Sequence, residues 1–406
     1  MNHNLNIHDF ISEKVTKRRV SLFTDDLASN KEQLEHAISG KSIMVIGGAG
    51  TICSSFIKAT LPYRPKKIIV VDHNENGLAE LIRDLRSKAD LHLPEDLRTY
   101  PIDFGSKVFV ELFKNEVKFD IVANFAAHKH VRSEKDIFSI KAMLQNNVFN
   151  SLNLLNLLAS NPPDHFFAVS TDKAANPVNV MGASKKLMEQ IILAFQNKFK
   201  VSTARFANVA FSNGSLPDAY LKRIDKGQPL SSPKDIKRYF ISPTESGQLC
   251  LLACVLSKSG NIFFPKLDMT KELKTFTSIA EDLLAQLGFE PDYSDSELEA
   301  KEKSKHLDLS QKKYPVYFFA SNTSGEKSYE EFYTVQEDYK LDQFEALGVI
   351  STTNEWDLDK INEQMQELKT QLDEPNLSKE KFISIFSNYV TNFQHIEKGK
   401  NLDQSM

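Results

Sequence analysis

The stretch Ser170-Thr171-Asp172-Lys173-Ala174-Ala175-Asn176-Pro177-Val178-Asn179-Val180-Met181-Gly182-Ala183-Ser184-Lys185 sets a hydroxyl, an acid and a base side by side, then a Met four residues before a Lys. These residue types move protons to and from a reacting group. The apolar run His165-Phe166-Phe167-Ala168-Val169 enters the stretch as a buried strand, and a helical pattern from Ser184 to about Phe199 leaves it. Ligands of open α/β sheets bind beyond the carboxyl ends of the strands, so this is the expected active site. An Asp-Lys pair on a solvated surface is the bland alternative. Its position directly after an apolar strand argues against that.

The elements that must position this stretch begin at Lys41. The run Ser42-Ile43-Met44-Val45-Ile46 breaks into Gly47-Gly48-Ala49-Gly50 and resumes with helical spacing at Ile52, Phe56 and Ile57. Glycines let backbone approach a pyrophosphate, and the helix start at Thr51 and Ile52 offers unpaired N–H groups. A third glycine, which would favour close helix–strand packing, is replaced by Cys53. The next strand, Lys67-Ile68-Ile69-Val70-Val71, ends in Asp72, 22 positions after Gly50. An acid there can accept from a ribose hydroxyl and repel a 2′-phosphate, which favours NAD over NADP. Asp72 also suits the following turn as a cap. Asp103 is a weaker candidate, for adenine contact.

A fourth strand, Asp120 to Phe125, runs into Ala126-Ala127-His128-Lys129-His130-Val131. Ala126 and Ala127 are small enough for a flat cofactor to lie close, and His128, Lys129 and His130 are candidates to face substrate, with ordinary packing or surface roles as the alternative. Asn147 lies in a helical stretch and needs a partner, one use being a bridge to Lys185. After the opening stretch, residues 201–215 form a sixth strand and a polar loop carrying Asn208 and Ser215. Arg238 could grip a diphosphate with two parallel bonds, or be a surface arginine. Thr244 to Ser257 reads as a buried helix, Ile262–Pro265 and Pro315–Phe319 as strands, and Asp292 to His306 as a solvated charged stretch.

Length, 406 residues, suits roughly two to three domains. Hydrophobic residues make up 41% and charged residues 26%, and the net charge of −4 excludes an electrostatic nucleic-acid binder. No apolar run reaches the ~18–20 residues of a membrane span, and Met1-Asn2-His3-Asn4-Leu5-Asn6 lacks a signal-peptide core. Cys53, Cys250 and Cys254 are the only cysteines; the last two share one apolar helical face, which argues for packing, a reducing cytoplasm and no metal site. The fold expected is α/β: a Rossmann-type doubly wound parallel sheet with a smaller C-terminal substrate-binding α/β region and a helical tail. Its boundaries are an appendage over 1–40, an NAD-binding domain over 41–210 to which 235–260 could return, a substrate-binding region over 211–350, and a tail over 351–406 that frays at its end. In the appendage, Val20-Ser21-Leu22-Phe23 could dock on the body or on another subunit.

From Lys41 to Phe332 the chain resembles the nucleotide-sugar 4,6-dehydratases of the extended short-chain dehydrogenase superfamily, nearest the polysaccharide-biosynthesis group acting on UDP-N-acetylglucosamine. The resemblance rests on the glycine loop, Ala126 to Val131, Ser170 to Lys185, Arg205-Phe206-x-Asn208-Val209, Arg238-Tyr239-Phe240, and Gly325-Glu326-Lys327 with Tyr329-Glu330-Glu331. It implies NAD as a tightly bound cofactor, with Lys185 on the nicotinamide ribose. Most relatives have Tyr four residues before that lysine. Here it is Met181, whose thioether carries no proton, a feature shared with the branch that retains configuration at C5. The resemblance implies that Thr171 relays the C4 hydroxyl proton, Lys173 removes the C5 proton and Asp172 protonates the departing C6 hydroxyl. Both Lys173 and Asp172 then need protonation states inverted from the ordinary ones.

The chain departs from the family where Ala207 and Phe211 replace glycines, which alters the expected pocket floor, where Arg132 replaces a proline, and where Thr323-Ser324 replaces Arg-Pro. UDP is favoured by resemblance and GDP stays open. The other partners implied are a second copy of the chain, as dimer or higher homo-oligomer, with neither nucleic acid nor membrane. A 4-epimerase and a non-catalytic nucleotide-sugar binder are the competing functions.

Overall fold

The computed structural model describes residues 5–268, 272–352, 356–390 and 392–398. The expected frayed end of the tail lies outside them. The strands are β1 (Ser42–Ile46), β2 (Lys67–Asp72), β3 (Asp96–Pro101), β4 (Ile121–Asn124), β5 (His165–Val169), β6 (Val201–Ala204), β7 (Asn208–Val209), β8 (Leu230–Pro233), β9 (Lys237–Ile241), β10 (Asn261–Pro265), β11 (Leu273–Thr275), β12 (Glu290–Tyr293), β13 (Lys313–Phe319), β14 (Tyr339–Lys340) and β15 (Leu347–Ser351).

The large sheet has the order β14-β15-β10-β6-β5-β4-β1-β2-β3. β1, β4, β5 and β6 are buried along their whole lengths, as the continuous apolar runs require of parallel strands covered on both faces. β1 pairs with β2 on one side and β4 on the other, so the strand order reverses there and opens a crevice at the carboxyl ends.

The helix Pro243–Val255 returns to this sheet and crosses the helix Thr51–Thr60 that follows the glycine loop. Gly247 sets the approach, since a Cβ there would stand 2.3 Å from Ser55 backbone. The chain is less sequential than the boundaries drawn from its sequence. β10, at 261–265, is parallel to β6, and β15, at 347–351, is antiparallel to β10, so both belong to the large sheet and not to a 211–350 unit. The remaining strands form two small sheets, β12-β13-β8 and β11-β9-β7, over the carboxyl-end crevice.

Both terminal segments close onto this body. Phe10, Ile11 and Val15 enter the apolar cluster under β8, β9 and the helix Phe276–Gln286, while Phe23, Leu34 and Ile38 enter the core of the large sheet. Arg18 fixes the segment by pairing with Glu245 at 2.7 Å and Glu272 at 2.6 Å. At the other end, Ile361, Met365, Leu368, Phe382 and Phe386 bury the apolar stripes of the helices Leu358–Leu372 and Lys379–Phe386.

Candidate active site

Two cavities share a wall at the carboxyl ends of β1, β4 and β5. The smaller, about 180 Å³, is lined by Gly47, Gly50, Thr51, Ile52, Asp72, Asp103, Ala126 and Ala127, the residues expected to hold a dinucleotide. Gly47 has φ +83°, and a Cβ on it would lie 2.5 Å from Ala126 N, so the turn needs glycine twice over. A Cβ on Gly50 would meet nothing nearer than Gly47 O at 3.5 Å, and no side chain caps the helix that starts at Thr51. Its first N–H groups are therefore available to an anion. Asp72 accepts from Ala49 N at 2.9 Å and Asn74 N at 2.8 Å. It braces the loop and the turn, and each oxygen retains a lone pair for a ribose hydroxyl. These groups fit NAD. Cys53 is fully buried, and the helix that carries it is approached closely by the helix Pro243–Val255 at Gly247.

The larger cavity, about 630 Å³, is walled by Thr171, Asp172, Lys173, Met181 and Lys185 with Lys129, His130, Asn208, Ser215 and Arg238. Asp172 is 4% exposed, yet one oxygen, Oδ1, receives Thr171 Oγ at 2.9 Å, Lys173 N at 2.9 Å and Lys173 Nζ at 3.1 Å. Hydroxyl, acid and base thus converge on one atom. The turn lies flat on the helix Val180–Ala194 because Gly182 has no Cβ to strike Lys173 O, 2.5 Å away. Asn179 caps that helix through Gly182 N and ties it to Gly325 O at 2.7 Å. Lys185 Nζ donates to Val169 O at 2.6 Å, and burial brings its pKa down to about 8 against the opposing charge of Glu189.

Several expectations change. His128 lines the cofactor-side cavity and not the larger one, with its backbone held by the Asn147 side chain. Asn147 bridges to Ser184 Oγ at 3.1 Å and does not reach Lys185. Arg238 is buried, and donates to the carbonyls of Lys237 and Lys327 while facing Glu330 at 3.7 Å and Glu326 at 3.9 Å. Ser215 Oγ caps the helix Leu216–Asp225. Ala207 lines the larger cavity but Phe211 does not; with φ +54° it turns its ring onto Phe10 of the N-terminal segment, edge to face at 5.8 Å.

Three features were not foreseen. Arg205, fully buried, pairs with Glu189 at 2.8 Å and Glu337 at 2.7 Å, and Glu189 also receives Ser170 Oγ at 2.6 Å, which braces the end of β5 from below. Arg223 adds a cation to the larger cavity where Thr323 has replaced one. Finally, Gln394 N and Ile396 N donate to Pro177 O and Val178 O, and Asn392 to Ala175 O, so the tail fastens the segment after the Thr171–Lys173 turn. An apolar period exposes none of these, though an arginine closing an apolar strand is itself a signal of a buried pair.

Residues 43–352 match the polysaccharide biosynthesis protein family. The chain belongs to that family. It is 32% identical over 326 residues to an uncharacterised membrane protein of Methanocaldococcus jannaschii, covering 79% of this chain and 88% of the relative. It is 30% identical to a probable polysaccharide biosynthesis protein of Bacillus subtilis, covering 63% of this chain but only 42% of that longer relative. A UDP-N-acetylglucosamine 4,6-dehydratase (inverting) of Campylobacter jejuni is 27% identical over 60% of this chain and 72% of its own. Among solved structures, a dTDP-glucose 4,6-dehydratase of Streptomyces venezuelae shares the fold, with TM-score 0.52 and 18% identity over 71% of this chain and 87% of that one. Among the described residues of this family member, no helix is long and apolar enough to cross a membrane.

Proposed function

We propose that the chain is an NAD-dependent 4,6-dehydratase of a nucleotide-diphospho-N-acetylhexosamine, with UDP-N-acetylglucosamine favoured and a GDP-sugar the alternative, making a 4-keto-6-deoxy sugar for surface polysaccharide. The observation that carries the reading is the convergence of Thr171, Asp172 and Lys173 on one buried carboxylate oxygen beside a cavity shaped for a dinucleotide. The Campylobacter relative's name and the NAD-bound Streptomyces structure support the same choice of substrate class and cofactor. The reading assigns the reaction to the cytoplasm and to a homo-oligomer.

Gly47, Gly50, Thr51 and Ile52 would hold the pyrophosphate, Asp72 the adenosine ribose, Asp103 the adenine, Ala126 and Ala127 the dinucleotide's flat face, and Lys185 the nicotinamide ribose. Bound NAD would supply hydride acceptance at C4 and hydride return at C6, with no net redox change. Thr171 Oγ takes the C4 hydroxyl proton and passes it to Asp172 Oδ1, 2.9 Å away. Lys173, neutral, withdraws the C5 proton made acidic by the C4 ketone. Asp172 gives its proton to the C6 hydroxyl, which departs as water, and Lys173 returns a proton to C5. The count closes: the proton taken from the C4 oxygen leaves with the water. Lys129, His130, Asn208, Ser215, Arg223 and Arg238 surround the nucleotide-sugar, with His128 on the cofactor side. A 4-epimerase has no use for the second acid and base, so product mass separates the two reactions.

Incubating the purified protein with UDP-N-acetylglucosamine and following the product by NMR should show loss of water and a C4 ketone. Lys173→Ala or Asp172→Asn should cut that turnover by about 10³-fold, within the usual range for a general acid or base, with NAD still bound. Normal turnover by either variant refutes the roles, and NAD and nucleotide-sugar binding without any product by the parent chain supports a non-catalytic binder.

A further inference from the structure

The proposed base poses a difficulty that the turn alone does not solve. Lys173 must shed its ammonium proton before it can take one from carbon, yet the nearest acceptor, Asp172 Oδ1 at 3.1 Å from its Nζ, already receives Thr171 Oγ and Lys173 N. In the proposed reaction Asp172 is already receiving the proton from the C4 oxygen. A second acceptor is needed, and it must be inside the site if the chemistry is shielded from bulk water.

Glu330 meets that need by position. Its side chain is only 3% exposed, lines the larger cavity, and puts Oε1 3.6 Å from Lys173 Nζ. That oxygen has no hydrogen-bond partner among the described residues, which is costly for a buried carboxylate and calls for a function. The backbone carrying Glu330 is fixed: Ser328 O accepts from Lys237 N at 2.8 Å, Lys327 O from Arg238 at 3.0 Å, and the neighbouring Glu331 from Asn176 at 2.9 Å. The charged groups facing it are Asp172 and Lys173 from the turn after β5, Arg238 from β9, and Lys327 from its own loop, with Glu326 on the far side of Arg238. We infer that Glu330 is the internal acceptor of the Lys173 proton, so that an ammonium–carboxylate pair becomes an amine–carboxylic acid pair within the closed site. One N–H bond breaks and one O–H bond forms, with no net charge change. After turnover the same transfer can reverse. Burial pushes the Glu330 carboxyl up, and Asp172 adds to this against Lys173, Arg238 and Lys327, which is the direction an acceptor requires. Glu330 is thus a positioning residue for the base and does not itself touch the sugar.

This inference rests on the dehydratase reading, and its test separates the two. Steady-state rates with UDP-N-acetylglucosamine across neutral and alkaline pH are compared for the parent chain, Glu330→Gln and Glu330→Asp, with bound NAD measured by chromatography of the cofactor released on denaturation. In the parent, base formation costs no proton to solvent, so kcat is flat through neutrality. In Glu330→Gln the proton must go to water, so kcat falls about 100-fold at neutral pH, climbs as pH rises, and leaves KM within about twofold. Glu330→Asp, shorter but ionisable, regains part of the rate and the flat profile. If Glu330→Gln releases water with the parent's rate and profile, or loses only substrate affinity, Glu330 has no such role while the dehydratase reading stands. If the parent itself releases no water, both fall together.

Discussion

The cofactor cavity is walled by short stretches at 46–53, 71–73, 102–104 and 125–129, with Asn146, Val169 and Ser212 added from later in the chain. The larger cavity draws its walls from Ile52, 125–131, 169–185, 206–240, 276 and 319–330, and is braced by buried ion pairs in its wall and beneath it. The first is held by close approach of the loops after β1 and β4, strands that are neighbours in the sheet. The second is held by charge between segments as far apart as Lys173 and Glu330. Damage to the buried charges should therefore disable the second cavity and spare the first.

Arg205→Met should have the largest effect on that contrast. It strands Glu189 and Glu337, and breaking a buried pair in this way costs about 3–5 kcal/mol. Denaturant unfolding should register that loss, and NAD retained by the folded fraction, measured by chromatography after release, should persist when product formation is gone; loss of NAD before product would merge the two halves. Acid comes next. Burial alone would raise Glu337, but hydrogen bonds and charge from Arg205, with Lys186, carry it down to about 2. A carboxylate lowered in the folded state stabilises above its unfolded value of about 4.3 and loses that stabilisation as pH falls toward 2. The parent should lose about 3 kcal/mol more across this window than Glu337→Gln, and parallel curves would dismiss the brace. The first cavity is the control for both. Gly47→Ala forces a side chain into a left-handed turn, a strain of about 1–2 kcal/mol, and against Ala126 backbone besides, so NAD should bind at least about tenfold more weakly with acid stability unmoved.

What the residues revealed follows the same division. Gly47, Gly50 and Asp72 could be read because a glycine break after an apolar run and an acid ending the next one are local patterns, and the strands around them are continuous apolar runs. Glu330 could not. Tyr329-Glu330-Glu331 carries part of the resemblance but no role for Glu330, and its burial depends on contacts with β9, some ninety positions earlier. The same holds for Arg18, whose partners Glu245 and Glu272 lie more than two hundred residues away. Phe211 was legible as a departure but not in its consequence, because Phe10 decides where the ring goes.

The hydrogen bonds from Asn392, Gln394 and Ile396 to the segment after the catalytic turn have a consequence in time. On the ribosome, the dinucleotide crevice can close once Ser212 and the helix Pro243–Val255 have followed β6, while the carbonyls of Ala175, Pro177 and Val178 still face water. A nascent chain should therefore capture its cofactor well before the catalytic turn is fastened, and acquire its reactivity only as residues 392–396 emerge and lock down.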